Sequence, residues 1–282
     1  MAEHEPNVDE SSDLLVSLEV NSAQRSSGSP VEIVFEDEHL IAVAKPAGLF
    51  VHRSKADRAV ATTLLQQVRD QIGQHLFTVH RLDRATSGLV LLAKSSSVAA
   101  ALGQQFEART IRKTYQAVVR GFTDESGSID TPLVSARGRG KPAEHPHAVP
   151  QPAHTNYTTT RHYELPLPDR SFSTTRISLV HVLPRTGRFH QIRRHFNYIS
   201  HPVLGDSSHG DSRLNRRIAE FCDQPRLMLA ATELQLQHPV HDTKLHLTCP
   251  PESSFAAVIE RLQPVCCTPP STAAPSASKT QS

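Results

Sequence analysis

Val79-His80-Arg81-Leu82-Asp83-Arg84-Ala85-Thr86-Ser87-Gly88-Leu89-Val90 is followed by Leu91-Leu92-Ala93. The five residues Leu89 to Ala93 form an unbroken apolar run, short enough for a strand buried on both faces. The small polar residues Thr86, Ser87 and Gly88 make the turn into it. Asp83 therefore sits at the mouth of a buried strand, between Arg81 and Arg84, and these two cations are expected to hold it in one orientation. An isolated R-L-D-R is also what a structural ion pair in a loop looks like, and such a pair contributes little stability.

On the N-terminal side, Val31–Phe35 and Leu40–Ala44 are β-branched, apolar runs separated by Glu36-Asp37-Glu38-His39, which reads as a hairpin. Lys45-Pro46-Ala47-Gly48 closes the second strand as a type I turn. Ala59 to Ile72 carries Leu64, Leu65, Val68 and Ile72 on one helical face, with Gly73 to end it. Beyond the central stretch, Val98 to Phe106 has helical spacing, and Lys113 to Gly121 reads as a strand with Tyr115 and Ala117 on one face. From Val134 to His154 the composition shifts to Pro, His, Gly and Arg, as in a long exposed loop. His145, His147 and His154 within it match no standard metal-ligand spacing.

Thr155–Leu165 and Phe172–Leu183 alternate like two further strands, turned by Pro166, Pro168 and Asp169. Pro184-Arg185-Thr186-Gly187-Arg188-Phe189-His190-Gln191-Ile192-Arg193-Arg194-His195 follows, with a helix expected over His190–Tyr198 that brings Arg193 within one turn of His190. Asp211–Glu220 reads as a helix with Arg213, Arg216 and Arg217 in a basic stripe. Leu227–Leu236 and Lys244–Thr248 read as strands, and Glu252–Leu262 as a closing helix. Strands in adjacent pairs outnumber helices, so the expected class is α+β, with a large mixed, mainly antiparallel sheet flanked by helices and loops.

The 282 residues divide into an acidic, disordered tail over 1–30, one folded domain over 31–262, and a disordered Pro/Ser/Thr/Ala tail over 263–282. Formal net charge is +2, but the first thirty residues hold six acids and one base; without them the 30 basic and 28 acidic residues become 29 and 22. That excess of about seven positive charges suits a phosphate-bearing partner if it is clustered. The four cysteines form neither a metal motif nor a disulfide framework. With no signal peptide and no membrane-length apolar run, the chain is expected to be a cytoplasmic monomer with no membrane partner.

The central string H-R-L-D-R-x-T-S-G-L resembles the signature loop of the RluA-type pseudouridine synthases. K-P-x-G at Lys45–Gly48, T-G-R-x-H-Q-I-R at Thr186–Arg193 and R-L-M-L-A at Arg226–Ala230 fall in the same order as in that family, so the likeness runs over roughly residues 31–250. V-R-D-Q-I-G-Q-H-L-F-T-V-H-R-L-D-R and G-D-S-S-H-G-D-S-R-L-N-R narrow it to a branch acting on the uridine at tRNA position 65. One residue departs: Ala230 stands where family members commonly carry His.

The resemblance implies isomerisation of uridine to pseudouridine in RNA, most of all tRNA. The N-glycosidic bond breaks, the uracil turns, and a C–C bond forms, with no net redox change and no cofactor or metal. It assigns Asp83 to the sugar carbon, as nucleophile or as base toward a neighbouring proton. Arg193 becomes its opposing cation, and Tyr115 lies against the uracil ring, placed to help remove the C5 proton. Arg81 fills the space a flipped-out uridine leaves, and Arg84, Arg188, Arg194, Arg213, Arg216 and Arg217 are the candidate RNA contacts. His80, His190 and His195 are read as structural. The competing reading is an RNA-binding or tRNA-folding protein of the same fold without catalysis.

Overall fold

A computed structural model describes residues 30–52, 62–134, 149–169 and 172–264. Nearly all of the acidic tail, residues 265–282 of the other, and residues 135–148 of the expected long loop with His145 and His147 lie outside the described residues. Eleven strands form one sheet: β1 (Glu32–Glu36), β2 (Leu40–Lys45), β3 (Phe77–Thr78), β4 (Ser87–Ala93), β5 (Arg112–Arg120), β6 (Ser126–Asp130), β9 (His154–Leu165), β10 (Thr175–Pro184), β11 (Leu229–Gln237), β12 (Lys244–Thr248) and β13 (Gln263–Pro264). Two short strands, β7 (Leu133–Val134) and β8 (Pro150–Gln151), pair apart from it. The helices are α1 (Leu64–Ile72), α2 (Ser96–Glu107), α3 (Gln191–Tyr198), α4 (Ser212–Cys222) and α5 (Ser253–Arg261).

The order across the sheet is β1-β2-β4-β11-β5-β10-β9-β13. Every pairing is antiparallel except β4 with β11, where Ser87 and Gly88 run parallel to Ala230 and Ala231. This parallel contact makes the sheet mixed and sets the mouth of β4 one strand away from β5, because Ala231 of β11 lies between Gly88 and Tyr115. Gly88 is needed there: its φ is +107°, and a Cβ on it would lie 2.0 Å from the carbonyl oxygen of Ala231.

All seven residues of β4 are buried because both of its faces are covered. Leu89, Leu91 and Ala93 pack with Val98 and Leu102 of α2, while Val90 and Leu92 pack with Leu64 and Val68 of α1. Strand alternation thus divides one apolar run between two cores. A third core lies between β5, β9 and β10 and the helices α3, α4 and α5.

Several boundaries differ from the sequence reading, for local reasons. α1 starts at Leu64 instead of Ala59 because Thr63 caps it, accepting from the Gln66 amide while the Gln66 side chain reaches back to the Thr63 amide. The chain end at Gly73 is as expected, in the left-handed region with φ +65°. α3 starts at Gln191 instead of His190, whose φ of +51° is incompatible with the helix. Pairing along the outer edge continues past 262, with Gln263 opposite Glu164 and Pro264 opposite Tyr163.

Candidate active site

The loop before β4, the start of β5 and the chain from Pro184 into α3 enclose a cleft of about 700 Å³. Asp83, Tyr115 and Arg193, three residues far apart in the sequence, all line it. The amide of Thr86 donates to the Asp83 carbonyl at 3.1 Å, which turns the chain sharply and aims Asp83 into the cleft. Arg193, on α3, donates from Nη1 to Asp83 Oδ2 at 3.3 Å. Its stronger attachment is to Asp206: Nε to Oδ2 and Nη2 to Oδ1, each at 2.7 Å. This is a bidentate, charge-assisted pair.

Both members of that pair are buried, Arg193 5% and Asp206 1% exposed. Asp206 Oδ1 also accepts from the amides of Ser208 and His209 at 2.8 and 3.0 Å. Burial pushes the Asp206 pKa up, but the Arg193 guanidinium and these amides overcome it and hold the carboxyl below its usual range. Arg193 is accordingly a fixed cation, held from behind by one carboxylate and presenting its remaining edge to another.

His190 lies beside this pair. Its Nε2 is 3.6 Å from Asp83 Oδ2, its Nδ1 is 2.9 Å from His209 Nε2, and its ring stacks on Phe189 with centroids 3.7 Å apart. Burial lowers its pKa to about 4, reinforced by Arg193 and His209 and only partly offset by Asp83. At neutral pH the imidazole is uncharged, so its contact with Asp83 is not an ion pair. Burial also drives the Tyr115 phenol upward, and the charge of Asp83 adds to the effect, so Tyr115 keeps its proton across the physiological range.

The expected bracing of Asp83 by its two sequence neighbours is not what holds it. Arg81 is exposed and lines the cleft. Arg84 turns away, donating from Nε to the Gly48 carbonyl at 2.9 Å and covering the ring of Phe50. Residues on either side of a turn point apart, and the cation that meets Asp83 comes from α3. Arg188 lines the cleft and donates to the Pro152 carbonyl at 3.2 Å. Arg194 donates to the Val134 carbonyl at 2.9 Å and lies outside the cleft. Arg213, Arg216 and Arg217 also lie outside it, on α4, with Arg213 and Arg216 exposed and Arg217 donating to the Pro168 carbonyl.

Among the histidines, His80 accepts the Leu91 amide at 2.9 Å and stacks on Phe106, and burial lowers its pKa to about 3. His195 is fully buried between the Thr155 hydroxyl and the Thr131 carbonyl. Both rings are hydrogen-bonded within the packed chain, and His80 also lines the cleft.

Arg109, Lys113 and Arg185 complete the basic lining. The run Arg109-Thr110-Ile111-Arg112-Lys113, which leads into the strand bearing Tyr115, is the sequence signal that could have found the first two. Behind the loop lies a buried lysine. Lys45 is 1% exposed and its Nζ donates to the carbonyls of Pro46, Leu49 and Arg84 at 2.7, 2.8 and 3.1 Å. Arg226 joins the loop to α5, pairing with Glu252 and donating to Ser87 Oγ at 2.9 Å. Ala230 is fully buried on β11 opposite Ser87, where the sheet rather than the cleft surrounds it.

Known proteins resemble this chain over most of its length. The family described as RNA pseudouridylate synthase matches residues 39–198. The chain is 47% identical over 230 residues to tRNA pseudouridine synthase C of Pectobacterium carotovorum subsp. carotovorum, an alignment covering 81% of this chain and 61% of that relative. It is 49% identical over 220 residues to tRNA pseudouridine synthase C of Yersinia pestis, covering 77% and 85%. Among solved structures, human RNA Pseudouridylate Synthase Domain Containing 4 superposes with a TM-score of 0.60 at 25% identity, over 82% of this chain and 94% of that one. Human RNA Pseudouridylate Synthase Domain Containing 1 shares the fold, with a TM-score of 0.65 at 24% identity over 86% and 92%. The match over more than half of the chain, on a sheet and cleft that bring the family's motif residues together, shows that this chain belongs to the RNA pseudouridylate synthase family.

Proposed function

We propose that the protein converts uridine to pseudouridine in tRNA, with the uridine at position 65 as its target, and that Asp83 is the catalytic carboxylate. The observation that carries this reading is the Asp83–Arg193–Asp206 arrangement facing Tyr115 in a basic cleft. A protein that only bound or folded RNA would gain nothing from a cleft carboxylate, which repels phosphate. Asp83 acts at the sugar carbon while the N-glycosidic bond breaks. The freed uracil turns against Tyr115 and rejoins through C5; C5 then gives up its proton and N1 takes one up, so the isomerisation is neutral overall.

Because Tyr115 keeps its own proton, its phenol serves as a packing and hydrogen-bonding surface for the ring; it accepts the C5 proton only after passing its own on. Arg193 is the positioning cation for Asp83. Arg81 enters the gap left by the extruded uridine, and phosphates lie along Arg109, Lys113, Arg185 and Arg188 and, beyond the cleft, along Arg213, Arg216 and Arg217. We assign Arg84 and Arg194 to holding their loops, because each is tied down by two contacts, Arg84 by the Gly48 carbonyl and the Phe50 ring and Arg194 by the carbonyls of Val134 and Phe189. No helix among the described residues is long and apolar enough to cross a membrane, and we take the protein to work as a cytoplasmic monomer.

The test is to map pseudouridine in tRNA from cells with and without the gene. Loss of one tRNA pseudouridine, restored by the wild-type chain and not by Asp83→Asn, is expected. An unchanged pseudouridine map would overturn the reading.

A further inference from the structure

We infer that Phe189 is the floor of a second base-binding subsite, on which a nucleobase flanking the reactive uridine stacks. This rests on the proposed action on RNA. Phe189 is 50% exposed, and of the large apolar side chains exposed among the described residues it alone lines the cleft. A ring that only filled space would be buried; this one leaves half its surface open within a wall that also carries Arg185 and Arg188. Exposed aromatic rings in basic clefts are the usual platform for unpaired bases, since every base offers a π-face and its phosphate meets the adjacent cations.

The ring is also rigidly backed. Its covered face lies on His190 at 3.7 Å with the planes 20° apart. His190 is fixed at one edge by His209 at 2.9 Å and meets Asp83 at the other at 3.6 Å. Asp83 thus sits at the edge of the imidazole while Phe189 covers its face. The open face of Phe189 is displaced from Asp83 by the imidazole, so the base it takes is a neighbour of the reacting uridine and not the uracil that must reach Asp83 and Tyr115. Extruding a uridine costs its neighbours their stacking on it, and Phe189 offers one of them a replacement surface.

The experiment uses the full-length chain and its Phe189→Leu and Phe189→Trp variants. The probe is a tRNA-stem hairpin with 2-aminopurine placed on one side or the other of the reactive uridine. Wild type and Phe189→Trp should quench 2-aminopurine at one of the two positions, and Phe189→Leu should not. With unlabelled hairpin, Phe189→Leu should raise KM about tenfold with kcat within about threefold of wild type, and Phe189→Trp should restore KM. Removing the base at the quenched position should raise the wild-type KM to that of Phe189→Leu.

Quenching that survives in Phe189→Leu, or a fall in kcat with KM and quenching intact, would show that the ring only supports His190 and would overturn the subsite. Pseudouridine formation by wild type without quenching at either position would overturn it too, while leaving the proposed function standing. Quenching that depends on Phe189, by a wild type that forms no pseudouridine, would do the reverse.

Discussion

Arg193 gives two nitrogens to Asp206, at 2.7 Å each, and one to Asp83, at 3.3 Å. The stronger pair is the buried one, and the weaker contact is the one that faces the cleft. One guanidinium therefore serves the fold with one edge and the site with the other, and the two services can be separated by mutation.

Arg193→Met should lose about 3–5 kcal/mol of folding stability, because Asp206, 1% exposed, is left charged and unpaired in the interior. Adding Asp206→Leu, which removes the orphaned charge, should restore most of that loss without restoring turnover. Urea unfolding and single-turnover kinetics on the single and double variants check both halves. A stable Arg193→Met protein would contradict the buried pair, and an active double variant would contradict the role of Arg193 at Asp83.

Lys45 gives a pH-dependent prediction. Burial takes its pKa from 10.5 down to about 7, against the attraction of Glu252 and Asp83. Between about pH 7 and pH 10 the unfolded chain then binds more protons at this position than the folded one, so stability contributed here rises with pH. Relative to Lys45→Met, wild type should gain unfolding free energy as the pH is raised from about 7 to about 9.5. A difference that stays flat in urea titrations would mean that the three carbonyls around Nζ hold the ammonium charged throughout.

Four cleft cations besides Arg81, namely Arg109, Lys113, Arg185 and Arg188, face the proposed RNA path. If each of these and each of the three α4 arginines neutralises one phosphate, affinity for a stem hairpin should fall with salt at a log–log slope of about −5 to −6. Arg109→Ala should flatten the slope by about 0.7–0.9, whereas Arg84→Ala, whose side chain is engaged with Gly48 and Phe50 outside the cleft, should leave it unchanged. Filter binding across a salt series distinguishes these. Equal effects of the two variants would remove the cleft as the phosphate path.

The β4 strand and its buried character were legible because an apolar run of five has few other solutions, and its division between two cores follows from alternation. Asp83, Tyr115 and Arg193 were legible only through motif resemblance, since 110 residues separate Asp83 from Arg193. What local reasoning got wrong was the bracing of Asp83: adjacency suggested Arg81 and Arg84, but a turn splays its neighbours. The pairing of Asp206 with Arg193 was hidden because the two lie thirteen residues apart across a helix and a break, a spacing that carries no periodic signal. Lys45 read as a turn residue; nothing in its neighbours announces burial of an ammonium among carbonyls. The α4 stripe was real as a helical pattern, yet periodicity cannot say which surface an exposed face will meet.

The most direct measurement is pseudouridine formation by Asp83→Asn under single-turnover conditions with excess protein. The substitution keeps the side chain's size and removes its charge and its nucleophilic oxygen. Asp83 is partly exposed and holds Arg193 by the weaker of that residue's two attachments, so folding should change by only about 0–1 kcal/mol. RNA affinity should stay within about tenfold, because the phosphate contacts remain. Product should fall to background even after long incubation. A folded, RNA-binding Asp83→Asn variant that still forms pseudouridine at close to the wild-type rate would contradict the assignment of the chemistry to Asp83.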